Sequence, residues 1–225
     1  MKIEEKRHGE TARQYAYRTL RENIISLDLE PGAPFNDVEM SQMIGISRTP
    51  VREAVIQLSE ESRIIEIFPQ RGMRIALIDV DLIRLSADQL NSRLFQDQAQ
   101  KARLLHQMDL QWLDENIRLQ EFYLEGGSSR KLLELDNEMH RKLFSICRKE
   151  LTYEMCQRLA IHYDRIRSLS VAAVKDHKII EDHKKMLEAI RSRDKKKAAE
   201  TMELHLNRWM MNEQMFRNQY PAYFK

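Results

Sequence analysis

The sequence predicts a mainly α-helical protein in two parts: helices closed by one hairpin over residues 1–78, then an all-helical bundle over residues 79–225. Three observations predict it. Glycine and proline are scarce, six and five in 225 residues, while strong helix formers abound. Apolar residues recur at three- and four-residue steps through most of the chain. The β-branched and aromatic stretch around a turn, Ile64 to Ile78, lies at the seam between the two parts.

In the first part, Tyr17, Leu20, Ile24 and Leu27 make one helical stripe, which Glu30-Pro31-Gly32-Ala33-Pro34 breaks. Asn36 reads as an N-cap, and Glu39 three residues on completes a capping-box-like pair. A short helix follows through Val38, Met40, Met43 and Ile44. Gly45 allows a tight turn, Ser47 is a second N-cap, and Pro50 falls in a first turn, where its missing N–H costs nothing. Val51, Ala54, Val55 and Leu58 then form a stripe that must face a core. Ile64, Ile65, Ile67 and Phe68, turn residues Pro69-Gln70-Arg71-Gly72, and apolar Met73 to Ile78 read as a β-hairpin. Helix, helix, tight turn, helix and hairpin is the order of a winged helix-turn-helix.

From Asp79 onward strand signals vanish. Helices are expected near 79–105, 109–124, 129–147, 151–172, 176–191 and 195–215, with the clearest breaks at Gly126 to Ser129 and Ser192 to Asp194. The tail beyond Arg208, with Trp209, Phe216, Tyr220, Tyr223 and Phe224, fits either an extension of the last helix or cover for a partner subunit.

Composition excludes several classes. No apolar run approaches membrane-spanning length and the first ten residues are charged, so a cytoplasmic protein with no membrane partner is expected. Cys147 and Cys156 form no CxxC pair and read as packing thiols. Net charge is +2, and residues 1–78 carry 11 Lys+Arg against 12 Asp+Glu. Bulk basicity therefore cannot support nucleic-acid binding; only the placement of particular arginines can.

Ser47-Arg48-Thr49-Pro50-Val51-Arg52-Glu53-Ala54 supplies that placement. Arg48 and Arg52, four apart at the start of a helix, share a face roughly opposite the apolar stripe. A recognition helix presents such residues to the major groove, where arginine grips guanine bidentately or clamps phosphate. Ser47 and Thr49 hydroxyls suit phosphate contacts that fix register. Two arginines alone would describe an ordinary solvated helix; the capped helix, tight turn and hairpin around them favour DNA. Arg71-Gly72 at the hairpin tip suits close approach to a groove, although Gly72 also serves the turn itself.

Pro31-Gly32, the stretch Met40 to Ile46, Ser47 to Ala54 and Gln70-Arg71-Gly72 together resemble the GntR superfamily of bacterial regulators over residues 11–78. The resemblance implies that Ser47, Arg48, Thr49, Arg52, Arg71 and Gly72 contact operator DNA. Val38 departs from it where some branches carry another DNA-contacting arginine. Ser62-Arg63 replaces the usual Gly-Leu before the wing.

In the second part, Asp136-x-x-x-His140 places a carboxylate and an imidazole on one helix face. His183 and His205 lie equally far from Asp194, so an antiparallel hairpin would bring them to similar height. Such a set suits Zn²⁺, Ni²⁺ or Mn²⁺, although each histidine alone is more often an ordinary core or surface residue. Asp136-x-x-x-His140, Asp182-His183 and the run Ala198 to His205 resemble the all-helical ligand-binding (FCD-type) domain of the FadR-type branch over residues 79–210. That resemblance implies a divalent metal on Asp136, His140, His183 and His205 that helps hold a carboxylate effector. His8, His106, His162 and His177 match nothing in it and read as structural or solvent-facing. The family's Arg-x-x-x-Glu on the first sensor helix aligns with either Ser92/Gln96 or Arg93/Asp97, the second of which makes Arg93 the effector anchor.

The expectation is a homodimeric, non-enzymatic transcriptional regulator, repressor or activator. It binds palindromic double-stranded operator DNA, associates with the nucleoid when bound, and obeys a small organic acid. Two rivals stand: the same fold sensing another organic ligand without metal, and a metal-dependent hydrolase, against which no general base stands beside the histidines.

Overall fold

A computed structural model of the protein describes residues 1–84, 106–174 and 177–225. Arg93 and the alternative Ser92 lie outside the described residues.

Helix α1 (Ala12–Ile25) starts at Thr11, whose side chain accepts from the Gln14 N–H while the Gln14 side chain accepts from the Thr11 N–H. This reciprocal pair satisfies donors that a helix start would otherwise leave open. Asn23, buried in α1, holds the backbone of Lys2 from both sides: Oδ1 accepts from Lys2 N and Nδ2 donates to Lys2 O. A two-residue strand β1 (Pro34–Phe35) leads into α2 (Asp37–Ile44), capped by the Asn36 side chain on the N–H groups of Val38 and Glu39. Gly45, with φ at 77°, makes the left-handed turn into α3 (Arg48–Ser62). Ser47 occupies the N-cap position of α3 without a side-chain cap bond.

Strands β2 (Ile65–Phe68) and β3 (Gly72–Ile75) pair antiparallel, and β1 adds to the other edge of β3. The hairpin matches the sequence expectation. The third strand was not foreseen, because two residues carry no periodicity. The left-handed residue closing α3 is Arg63, with φ at 54°. The position a glycine would suit is therefore 63 rather than 62, one residue along from where the resemblance was laid.

Ala16, Leu20, Ile24, Val51, Ala54, Val55, Leu58, Ile64, Ile65 and Ile75 form one core, and α1 and α2 both pack on α3. Fully burying a Leu or Ile contributes about 1.5–3 kcal/mol, so this stripe is what fixes the exposed face of α3. The compact unit is not built from Met1–Val80 alone; it also contains Ile161–Arg165 and Arg217–Lys225. His162 bonds the Ser62 carbonyl through Nε2, and the wholly buried Arg165 donates to the carbonyls of Ala76 and Leu77. Phe224 pairs in parallel with Ile78: Ile78 N donates to Tyr223 O, and Lys225 N donates to Ile78 O. In the described structure, then, residues 217–225 complete the winged unit.

The second unit holds α4 (Gln107–Glu125), α5 (Ser129–Ile146), α6 (Glu150–Leu159), the continuation of α7 (Ile161–Val174) after Arg165, α8 (Lys178–Arg191) and α9 (Lys195–Asn207). One helix expected over 151–172 is two, interrupted at Ala160 with no Gly or Pro to announce it. The last expected helix ends at Asn207 and gives way to a 3₁₀ turn (Arg208–Met211) and α10 (Glu213–Gln219). Within this unit α8 packs against α9 and α4, and α4 against α5. Asp194 caps α9 through the Lys197 N–H, which starts the return leg of the α8–α9 hairpin. Among the described residues no helix is long and apolar enough to cross a membrane.

Candidate DNA-binding face and metal centre

Arg48, Thr49 and Arg52 are exposed on the side of α3 away from its buried stripe, and Ser47 is exposed at its start. Arg48 Nε lies 3.1 Å from Oδ2 of Asp37, a nearly buried carboxylate at the start of α2. Arg52 makes no hydrogen bond or ion pair among the described residues. Arg71 and Gly72 sit exposed at the wing tip, where Gln70 and Gly72 both adopt positive φ (60° and 100°). No neighbouring atom lies within 4 Å of a Cβ built on Gly72, so its requirement is conformational rather than one of space. Val38 is exposed, and the wing adds exposed Ile67 and Phe68.

In the second unit, one face of α5 brings Asp136 and His140 toward His183 on α8 and His205 on α9. One ligand atom from each of the four lies within 4.8 Å of the others. The His183 and His205 ring centroids are 4.7 Å apart, and His140 stands 5.8 and 5.3 Å from them. A tetrahedral ion with ligands at about 2.0–2.1 Å sets them roughly 3.4 Å apart, so the widest pair must close by about 1.4 Å.

Charge and tautomer both suit a cation. Burial pushes the pKa of His140 and of His183 down to about 3; protonating both rings would set like charges side by side, and Arg167 repels a proton on His183. Burial also holds His205 well below its usual value. All three imidazoles are neutral at pH 7, the state in which they ligate. A chain of bonds fixes one tautomer. The Leu135 carbonyl accepts from Asn116 Nδ2, Asn116 Oδ1 accepts from Gln120 Nε2, and Gln120 Oε1 accepts from His183 Nδ1 at 2.8 Å. A carbonyl oxygen cannot donate, so Nδ1 carries the proton and Nε2 the lone pair.

That lone pair lies 3.1 Å from Asp136 Oδ1 without a hydrogen bond between them. Two buried acceptors facing each other repel unless a cation joins them. His205 Nδ1 is likewise buried without a hydrogen bond. The donor set therefore fits a divalent ion. Sequence reasoning missed two neighbours of this centre, Gln120 and Arg167, whose guanidinium contacts Asp136, and it quoted Asp182 without its ion pair to Arg208. Gln120 shares the buried face of α4 with Leu113, Ile117 and Leu124, but nothing in the sequence separates it from the other polar residues of that helix. Outside the centre, His162 is buried, while His106 stands exposed at the start of α4.

Residues 12–75 match the family of bacterial regulatory proteins designated gntR, and residues 76–208 match the FCD domain, more than half of the chain. The chain is a GntR-family regulator with an FCD domain. It resembles the HTH-type transcriptional repressor RspR of Escherichia coli, at 28% identity over 194 residues, covering 86% of this chain and 85% of RspR. It also resembles an HTH-type transcriptional regulator of Bacillus subtilis, YdhC, at 23% identity, covering 85% and 86% of the two chains. Among solved structures, E. coli McbR/YncC shares the fold, with a TM-score of 0.76 at 18% identity over 93% of this chain and 99% of that one. These domains and relatives are regulators rather than enzymes, and the gntR-type domain of this regulator binds operator DNA.

Proposed function

We propose that this GntR regulator binds a palindromic operator as a homodimer, and that a small organic acid bound at a divalent metal in the FCD domain controls its affinity. One observation carries the metal reading: three neutral imidazoles and a carboxylate converge within 4.8 Å, with acceptor facing acceptor. Asp136, His140, His183 and His205 would hold the ion, with Zn²⁺, Ni²⁺ and Mn²⁺ all compatible with the donor set. When bound, the ion supplies positive charge and open positions to which a carboxylate can bind.

The chain's own residues do the rest. Gln120 keeps the His183 lone pair aimed inward, and Arg208 pairs with Asp182 beside the centre. At the DNA, Arg48, Arg52 and Arg71 would supply the charge, Ser47 and Thr49 the register, and Gly72 the turn of the wing. Effector binding changes operator affinity only by favouring one arrangement of the two DNA-binding units over another.

The test is elemental analysis of purified protein after metal supplementation and desalting. About one divalent ion per chain is expected in the wild type, and a large loss in His183→Ala and His205→Ala. A wild type without metal refutes the reading. A second reading, the same regulator sensing an organic ligand without metal, draws support from one contact: Asp136 already has a cationic partner in Arg167. It predicts ligand-induced stabilisation that survives a chelator.

A further inference from the structure

We propose that Arg167 is the anion-recognition residue of the effector site, and that its ion pair with Asp136 makes effector binding conditional on metal. The inference rests on the metal reading above and deepens it by naming the residue and the charge class of ligand.

Arg167 projects from α7 into the polar centre of the second unit. One terminal nitrogen contacts Asp136 Oδ2 and the other donates to Asn137 Oδ1 at 2.9 Å, so α5 receives both. Its side chain is 14% exposed. Burial lowers its pKa only to about 10, so it remains charged at neutral pH.

The charges of the centre then decide what it can accept. Asp136 carries −1, Arg167 carries +1, and the three imidazoles carry none. Asp182 and Arg208 cancel beside them. Among the described residues the metal-free centre is neutral, with Arg167 acting as the counter-cation of the only carboxylate among the four converging residues. An anion entering it would gain little, because the guanidinium is already engaged by Asp136.

Adding a divalent ion to the same groups raises the buried charge to about +2, whether or not the Arg167–Asp136 contact persists. Asp136 is then drawn to the stronger cation, and the guanidinium becomes the fixed, planar donor that recognises a carboxylate in a forked pair. Two consequences follow. Metal must bind before the anion, and a dianion should be preferred to a monoanion, with one carboxylate on the metal and the other on Arg167. Arg167 and a divalent ion also repel each other, so the wild-type arginine weakens metal binding.

The experiment uses the full chain, stripped with chelator and titrated calorimetrically with zinc chloride. The zinc-loaded and metal-free proteins are then titrated with malonate and with acetate, at concentrations that leave zinc on the protein. For the wild type, malonate should bind the zinc form at least tenfold more tightly than acetate does, and neither should bind the metal-free form measurably. Arg167→Gln should bind zinc at least tenfold more tightly than the wild type, and malonate at least tenfold more weakly. Arg167→Lys, which keeps the charge without the fork, should bind zinc as the wild type does and malonate with intermediate affinity. Because Arg167→Gln leaves Asp136 without this partner, the melting temperature of each variant is recorded with and without zinc; recovery of Arg167→Gln on adding zinc is expected. Zinc affinity in Arg167→Gln equal to or below that of the wild type overturns the inference. So does unchanged malonate affinity, or equal malonate binding without metal. A wild type that takes up no zinc, nickel or manganese overturns the metal reading itself, and the conditional role of Arg167 with it.

Discussion

Asp37→Ala separates two accounts of the DNA-binding face, because they predict opposite signs. Asp37 is a nearly buried acid at the start of α2, and it holds Arg48 by Nε, while the Arg48 side chain stays 55% exposed. Considered as charge alone, removing a carboxylate from a surface that meets phosphates should strengthen DNA binding at every sequence. Considered as positioning, the carboxylate holds Arg48 in one rotamer before DNA arrives, and immobilising such a side chain costs about 0.5–1.5 kcal/mol. The positioning account predicts that operator affinity falls by roughly 2- to 12-fold, while affinity for scrambled DNA rises slightly. Fluorescence anisotropy at two salt concentrations measures both, with a palindromic site selected in vitro by the wild-type protein and a scrambled control. An unchanged or higher operator affinity, with an undiminished ratio of operator to scrambled binding, would refute the positioning role and leave Arg48 as a non-specific charge.

Three further outcomes are expected. Arg52→Ala, which removes a side chain with no hydrogen-bond or ion-pair partner among the described residues, should cost operator binding about 1–3 kcal/mol if it reads a base; a loss equal on scrambled DNA would assign it to phosphate instead. Arg63→Gly should stabilise the winged unit by about 0.5–1 kcal/mol by relieving the left-handed backbone at φ 54°; a melting temperature that stays level or falls contradicts this. His162→Gln should leave stability unchanged at pH 7.5 but raise it relative to wild type by about 2 kcal/mol at pH 5. Burial, with Arg165 nearby, lowers the His162 pKa to about 4, so its contribution is intact above the unfolded value near 6.5 and drains away as pH falls toward 4. Buried Asp164, raised to about 6, has the opposite sign but is common to both proteins. Parallel stability profiles of metal-free wild type and variant across that range would rule the histidine out as the titrating group.

Much of this molecule is legible because its local signals agree with one another. Asn36 caps α2, Gly45 turns left-handed, and the α3 stripe is buried where the spacing of Val51, Ala54, Val55 and Leu58 puts it. The approach of His183 to His205 follows from their equal distance from Asp194, the cap at which the α8–α9 hairpin turns back. What could not be read is tertiary. The break at Ala160 has no glycine or proline. Arg167 looks like any arginine of a charged helix until α5 lies against it. Gln120 becomes a support only when α8 delivers His183 to its carbonyl. The aromatic tail fitted two readings, and in this structure Phe224 instead joins Ile78 in the winged unit.

That last pairing bears on the order in which the protein can be made. The partner of Ile78 is translated on the order of 150 residues later, and ribosomes add about 5–20 residues per second. For roughly 7–30 s a nascent chain therefore carries α1 to β3 outside the ribosome without the segments that brace them, first His162 and Arg165 and finally Phe224. The winged unit stays incomplete until the helices of the second unit have been synthesised. Polypeptides still in production thus lack part of the unit that carries the helix-turn-helix, and only chains translated through Phe224 have all the segments that brace it.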